Sequence, residues 1–160
     1  MTEPRWPTAA LDPIRRARIL AAAVPGGFAE VVLDVPYARA WAWLSNLETS
    51  VPAFDAQVDT LSIVGRQPDP DGVGEHIVFT ATNHRVPIRF TARLEDGWCL
   101  MRAPGRAFIV VMAAKAEGSD RTRYAQLEAV PRPGGRFLRR RLTRDVRHDV
   151  DGIRKLVNLS

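Results

Sequence analysis

Hydrophobic positions recur with a period close to two through the middle of this chain and with a helical period at both ends. Residues 28–34, FAEVVLD, alternate in part and are rich in β-formers, which predicts a strand. Pro36 then opens a helix over YARAWAWLSNLE, with Ala40, Trp41, Leu44 and Leu47 on one face. Pro52 is expected to end it, leaving SVPAFD as a short connection or helical turn. From Gln57 to about Val130 the signal is β: VDTLSIVG, GEHIVFTAT, RVPIRFTARLE, WCLMR, AFIVVMAAK and TRYAQLEAV. The separators are short and rich in Gly, Asp, Asn and Pro, as hairpins require, so the sheet is predicted to be antiparallel.

The two ends are helical. Asp12-Pro13 reads as N-cap and first residue of a helix over IRRARILAAAV that stops at Pro25-Gly26-Gly27. Residues 1–27 are therefore read as an N-terminal arm whose helix, about three turns long, must dock or fray. Gly135 to Leu159 reads as one long helix. Projected at about 100° per residue, Leu142, Val146, Val150, Ile153 and Val157 form a stripe flanked by Leu138 and Leu156. Arg140, Arg144, Arg147 and Asp151 lie opposite.

Register follows from the turns. A two-residue turn at Asn83-His84 sets Phe79 opposite Ile88 and Ile77 opposite Phe90, giving one apolar and one mostly polar face. A three-residue loop, Glu95-Asp96-Gly97, with Gly97 left-handed, then puts Trp98 and Leu100 on the apolar face, turns Cys99 outward and brings Arg102 inward. AFIVVMAAK is apolar at nearly every position, so its faces stay unassigned. The element order is strand, helix, helical turn, six strands, long helix, which is α+β. Seven antiparallel strands curl around an element laid across them, and a helix on the concave side can leave an apolar cavity.

Composition narrows this picture. A chain of 160 residues, 46% apolar and 26% charged, suits one soluble domain, here residues 28–160 after the arm. No apolar run approaches the roughly 20 residues of a membrane span. The N-terminal residues lack the basic-then-apolar order of a secretory signal, so a cytoplasmic location is expected. A single cysteine, Cys99, excludes an intrachain disulfide framework. The net charge is +5, and Lys115 and Lys155 are the only lysines. Arginine-rich codon usage accounts for such a balance, and so does an anionic partner. Arg136, Arg139, Arg140, Arg141, Arg144 and Arg147 crowd one stretch. The aromatic interleaving that stacks on single-stranded nucleic acid is missing there, which speaks against nucleic acid as partner.

Several segments together are familiar. They are the helix start at Pro36, Trp41-x-x-Leu44, Pro52-x-Phe54-Asp55, and the ending Arg147-x-Asp149-Val150-x-x-Ile153. Over residues 28–158 the chain resembles the SRPBCC (START-like, polyketide cyclase/dehydrase) superfamily. The resemblance implies the helix-grip fold, a seven-stranded curved antiparallel sheet around a long C-terminal helix. It also implies a real cavity. Members include lipid and sterol carriers, plant hormone-binding proteins and aromatase/cyclases, so the fold leaves the function open.

The expected cavity is lined by Leu61, Ile63, Ile77, Phe79, Ile88, Phe90, Trp98 and Leu100 from the sheet and by Leu142, Val146, Val150 and Ile153 from the helix. Asp149 projects inside the apolar arc, where a carboxylate meets a donor or has its pKa raised by desolvation. It could orient a ligand hydroxyl or act as a general base. Equally, it could be a structural carboxylate bonded to a backbone N–H, to Tyr124 or to an arginine, Arg102 first. His76, His84 and His148 do not form a metal set, and no cofactor motif or nucleophile elbow is found, so neither metal nor cofactor is expected. The leading expectation is a binding module for an apolar or amphipathic small molecule: a lipid, a polyketide or another ring compound. An aromatase/cyclase-like enzyme using Asp149, Arg102 and Tyr124 comes second, because inward polar groups are few. An interaction module using the arginine face comes third. The arm either lids the cavity or pairs two copies as a homodimer.

Overall fold

The computed structural model describes residues 11–158. Residues 1–10 of the arm and Leu159 at the end of the expected final helix lie outside them. The chain runs α1 (Pro13–Ala23), β1 (Gly26–Leu33), α2 (Tyr37–Leu44), α3 (Leu47–Phe54), β2 (Thr60–Pro68), β3 (Glu75–Asn83), β4 (Val86–Glu95), β5 (Trp98–Arg102), β6 (Ile109–Glu117), β7 (Arg121–Ala129) and α4 (Arg139–Val157). Seven strands form one curved antiparallel sheet in the order β1-β7-β6-β5-β4-β3-β2. Consecutive strands β2 to β7 are hairpin neighbours, and β1 closes onto β7. Among the described residues no helix is long and apolar enough to cross a membrane.

α4 lies on the concave face along β1 and β7, with Val146, Val150, Ile153 and Val157 buried against Leu33, Ile77, Phe79, Met112 and Tyr124. Gly27 permits this approach, since a Cβ there would stand 2.3 Å from the Leu142 backbone, and Gly26 lets β1 close on β7, where a Cβ would stand 2.2 Å from the Glu128 carbonyl oxygen. α2 and α3 close one end of the same core through Trp41, Leu44, Leu47, Val51 and Phe54.

The N-terminal helix docks. Asp12 caps it by accepting from the Arg15 N–H at 2.9 Å, with Pro13 opening the first turn. Ile14 and Ala17 then bury against Trp98, Val111, Ala113, Ala125 and Leu127 on the convex face of the sheet. Arg16 stacks over the Trp98 ring at 4.1 Å and pairs with Glu95 at 3.1 Å. β5 to β7 are therefore covered on both faces.

Four local expectations are corrected. YARAWAWLSNLE is two helices rather than one, and the Ser50 hydroxyl closes the corner between them by donating to the Leu44 carbonyl at 3.0 Å. Pro52 lies inside α3, where its missing N–H removes a single internal bond of a short helix and does not end it. The first hairpin turns at His84-Arg85, both left-handed (φ +47° and +66°), one residue later than expected. Phe79 therefore opposes Phe90, with stacked rings 5.3 Å apart, and Ala81 opposes Ile88. The pairing moves by two positions, so every side chain keeps its expected face.

The next hairpin reverses its faces. Its turn has two residues, Asp96-Gly97, because Glu95 already pairs with Trp98. Gly97 is left-handed as expected (φ +72°). The shorter loop flips the parity of β5. Cys99 and Met101 enter the concave core, while Trp98 and Leu100 join the convex cluster under α1 and Arg102 is exposed. The apolar pattern carried no signal here, because WCLM is buried or half-buried on both faces.

Candidate functional site

Between the concave face of β2–β5, the end of α3, α4 and the loop 103–108 lies a cavity of about 470 Å³. That volume falls within the range of roughly 300–1,000 Å³ typical of small-molecule sites. Its apolar wall is Leu61, Phe79, Ala81, Ile88, Phe90 and Met101, with Val51, Val58, Pro104, Ala107 and Phe108 around it. Its polar end is Asp55, Glu128, Asp145, His148 and Asp149.

Three elements deliver the carboxyl groups. Asp55 terminates α3, and its Oδ1 accepts from the Gln57 N–H at 2.8 Å, which folds the chain back toward β2. Glu128 sits on β7, on the face that also carries Tyr124 and Gln126. Asp149 sits on the inner stripe of α4, one step before Val150 and only 4% exposed. Oxygens of Asp55, Glu128 and Asp149 lie within 4.8 Å of one another, as close as the ligands of a single cation would be.

Hydrogen bonds and a retained proton hold this cluster together. The Tyr124 hydroxyl donates to Gln126 Oε1 at 2.8 Å, and Gln126 Nε2 donates to Asp149 Oδ2 at 3.0 Å and Glu128 Oε1 at 3.2 Å. Burial pushes the Asp149 carboxyl up to about 9, with the charges of Asp55 and Glu128 adding to the shift. Burial likewise raises Glu128 to about 7, and it raises Asp55. Asp149 therefore keeps its proton at neutral pH and shares it with Glu128, its hydrogen-bond partner. His148 stands at the rim, its Nδ1 3.9 Å from Asp149.

Of the residues expected at the site, Phe79, Ile88, Phe90 and Asp149 line the cavity, as does Leu61. Ile77, Tyr124, Val146, Val150 and Ile153 lie in the adjoining core, and Ile63 packs at its edge. Leu142 is buried where α4 crosses Gly27. Trp98, Leu100 and Arg102 are on the other side of the sheet. Arg102 borders a surface hollow with Arg89 and Thr91, so the expected Asp149–Arg102 pair does not form and Gln126 takes its place. Sequence reasoning missed Asp55, Gln126 and Glu128. The signal for Gln126 and Glu128 was Tyr-x-Gln-x-Glu at a strand period, which reads as a solvated face unless the opposite face is also seen to be covered. The arginines Arg139, Arg140, Arg144 and Arg147 border a shallow hollow on the outer side of α4.

No family model matches the sequence, and no curated protein matches it. Solved structures match in fold. The di-domain ARO/CYC BexL from the BE-7585A biosynthetic pathway superposes with a TM-score of 0.61 at 16% identity, over 83% of this chain and 46% of that one. This chain thus spans about half of that protein. A START superfamily protein from Mycobacterium smegmatis gives 0.59 at 14% identity, over 82% of this chain and 96% of that one. The Zhui aromatase/cyclase from Streptomyces gives 0.58 at 13%, over 82% and 92% respectively. The chain shares the helix-grip fold of these structures, a curved antiparallel sheet around a long C-terminal helix.

Proposed function

We propose that the chain binds an apolar or amphipathic small molecule, such as a lipid, a polyketide or another ring compound, in the cavity between sheet and α4. The observation that carries this reading is the cavity itself: an apolar wall of about 470 Å³ ending in a few convergent polar groups. Such a wall selects by shape and by apolar area, at about 25 cal/mol for each Å² removed from water. The neutral dye Nile red is expected to be taken up with a stoichiometry of one. Phe90→Trp, which puts bulk into the cavity, is expected to reduce that uptake while leaving the fold intact. A well-folded sample that takes up no dye overturns the reading.

The proton shared by Asp149 and Glu128 favours a second reading, acid–base chemistry on a bound ligand. Asp149 holds a proton at neutral pH that it can give to a ligand oxygen, and Glu128, near 7, can accept one. Under that reading Asp149→Asn abolishes turnover of a polyketide-type substrate without unfolding the chain. An unchanged rate removes Asp149 from the chemistry.

A further inference from the structure

We propose that the occupant is a cationic amphiphile, an apolar body carrying a protonated amine, seated with its nitrogen among Asp55, Glu128 and Asp149. The inference rests on the cavity reading above and names the chemistry at its polar end.

The first support is a mismatch of charge. The chain carries 23 Lys and Arg against 18 Asp and Glu. Yet among the described side chains no Lys or Arg lines the cavity, which collects Asp55, Glu128, Asp145 and Asp149. On α4, Arg141 and Arg144 reach Asp145 at the rim, at 3.8 and 3.6 Å, and His148 Nδ1 stands 3.9 Å from Asp149. The second support is convergence. The three clustered acids come from α3, β7 and α4, so no local run of sequence put them together. Gathering like charges away from water is unfavourable unless a counter-charge or protons offset it. Here a proton shared by two of the acids and the amide of Gln126 supply part of that offset.

The third support is geometric. For three oxygens no more than 4.8 Å apart, a point between them lies no more than about 2.8 Å from each, within the length of a charge-assisted N–H···O bond. A primary ammonium has three N–H donors and no acceptor, one for each acid. An alcohol offers a single hydrogen. A carboxylate or phosphate headgroup adds a further negative charge to this acidic end. The apolar wall beside the triangle gives the rest of the ligand its place.

Binding of an ammonium displaces the shared proton. The titratable groups facing it are Asp55 from α3, Glu128 from β7, and Asp145, His148 and Asp149 from α4, with the Tyr124 phenol behind Gln126. Ionisation of the acids strengthens the site, so amine affinity rises between about pH 6 and pH 8, while an alkylammonium remains charged throughout.

Displacement of Nile red from the full chain by decylamine, decanol and decanoate tests this. Decylamine is expected to bind tightest, at least about tenfold tighter than decanoate. Its advantage over decanol should vanish in Glu128→Gln/Asp149→Asn, with the variant's fold checked by circular dichroism and its affinity for each of the two compounds read by calorimetry. Decanoate equal to or better than decylamine overturns the amine assignment and leaves the cavity reading standing, and so does parity of decylamine with decanol. Displacement by none of the three overturns both. If the double variant does not fold, the pH series on the unaltered chain decides: decylamine affinity that is flat or falls as pH rises overturns the proposal.

Discussion

Raising the pH from about 5.5 to about 7.5 should destabilise this fold. Asp149 titrates near 9 when folded against an ordinary 3.8, and Glu128 near 7 against 4.5. Between those values the folded chain holds protons that the unfolded chain has already released. Stability contributed by the protonated acids is complete below the unfolded values and is lost as pH rises toward the folded ones. One retained proton changes the unfolding free energy by about 1.4 kcal/mol per pH unit, so a proton held by the Asp149–Glu128 pair accounts for roughly 2–3 kcal/mol over two units. For a chain of this size each kcal/mol moves Tm by roughly 2–4 °C, which gives a fall of about 5–10 °C. The acids held low by partners, Asp12, Glu30, Asp71 and Glu95, do not interfere. Their contributions are complete above about pH 4.5 and constant across the window. Differential scanning calorimetry at the two pH values reads the effect, and Asp149→Asn, which keeps hydrogen-bonding capacity without charge, should flatten it. A Tm that stays level or rises across the window in the unaltered chain refutes the reasoning.

Two further outcomes follow from packing. Gly27→Ala places a Cβ against the Leu142 backbone and should cost at least about 1–3 kcal/mol by forcing α4 off β1; an unchanged unfolding midpoint in urea would show that α4 does not press on β1 as described. Cys99 is fully buried, and burial pushes its thiol up to about 12. It should resist Ellman's reagent in the native chain and react at once on denaturation, and prompt native labelling would contradict its inward placement.

Much of the fold was legible because its boundaries rest on unambiguous residues. Asp12-Pro13 starts α1, Pro36 precedes α2, and the alternation of Ile77, Phe79 and Ala81 set the concave face before any pairing was known. The hairpin at His84-Arg85 shows where local turn chemistry yields. The pairing that stacks Phe79 on Phe90 prevailed over a turn at Asn83, although it requires two left-handed residues that are not glycine. β5 shows where hydrophobicity is silent, since a strand buried on both faces has no polar side to orient it. The site was legible only in part. Asp149 announced itself by its angle on the helix, but its partners are polar residues on a central strand. Periodicity assigns such residues to solvent unless the docking of α1 on the opposite face is known.

That docking divides the sheet into unequal halves. Where α1 backs them, β6 and β7 are held between two helices, and β7 carries the glutamine and glutamate that organise the acidic end. β2, β3 and β4, whose inward side chains form most of the greasy wall, have their other face turned to water. The acidic end is thereby backed by a helix, and the apolar wall is backed by solvent. Under the proposed function, tolerance toward ligands of differing girth would belong to the strands with water behind them, and fidelity to the headgroup to those with a helix behind them.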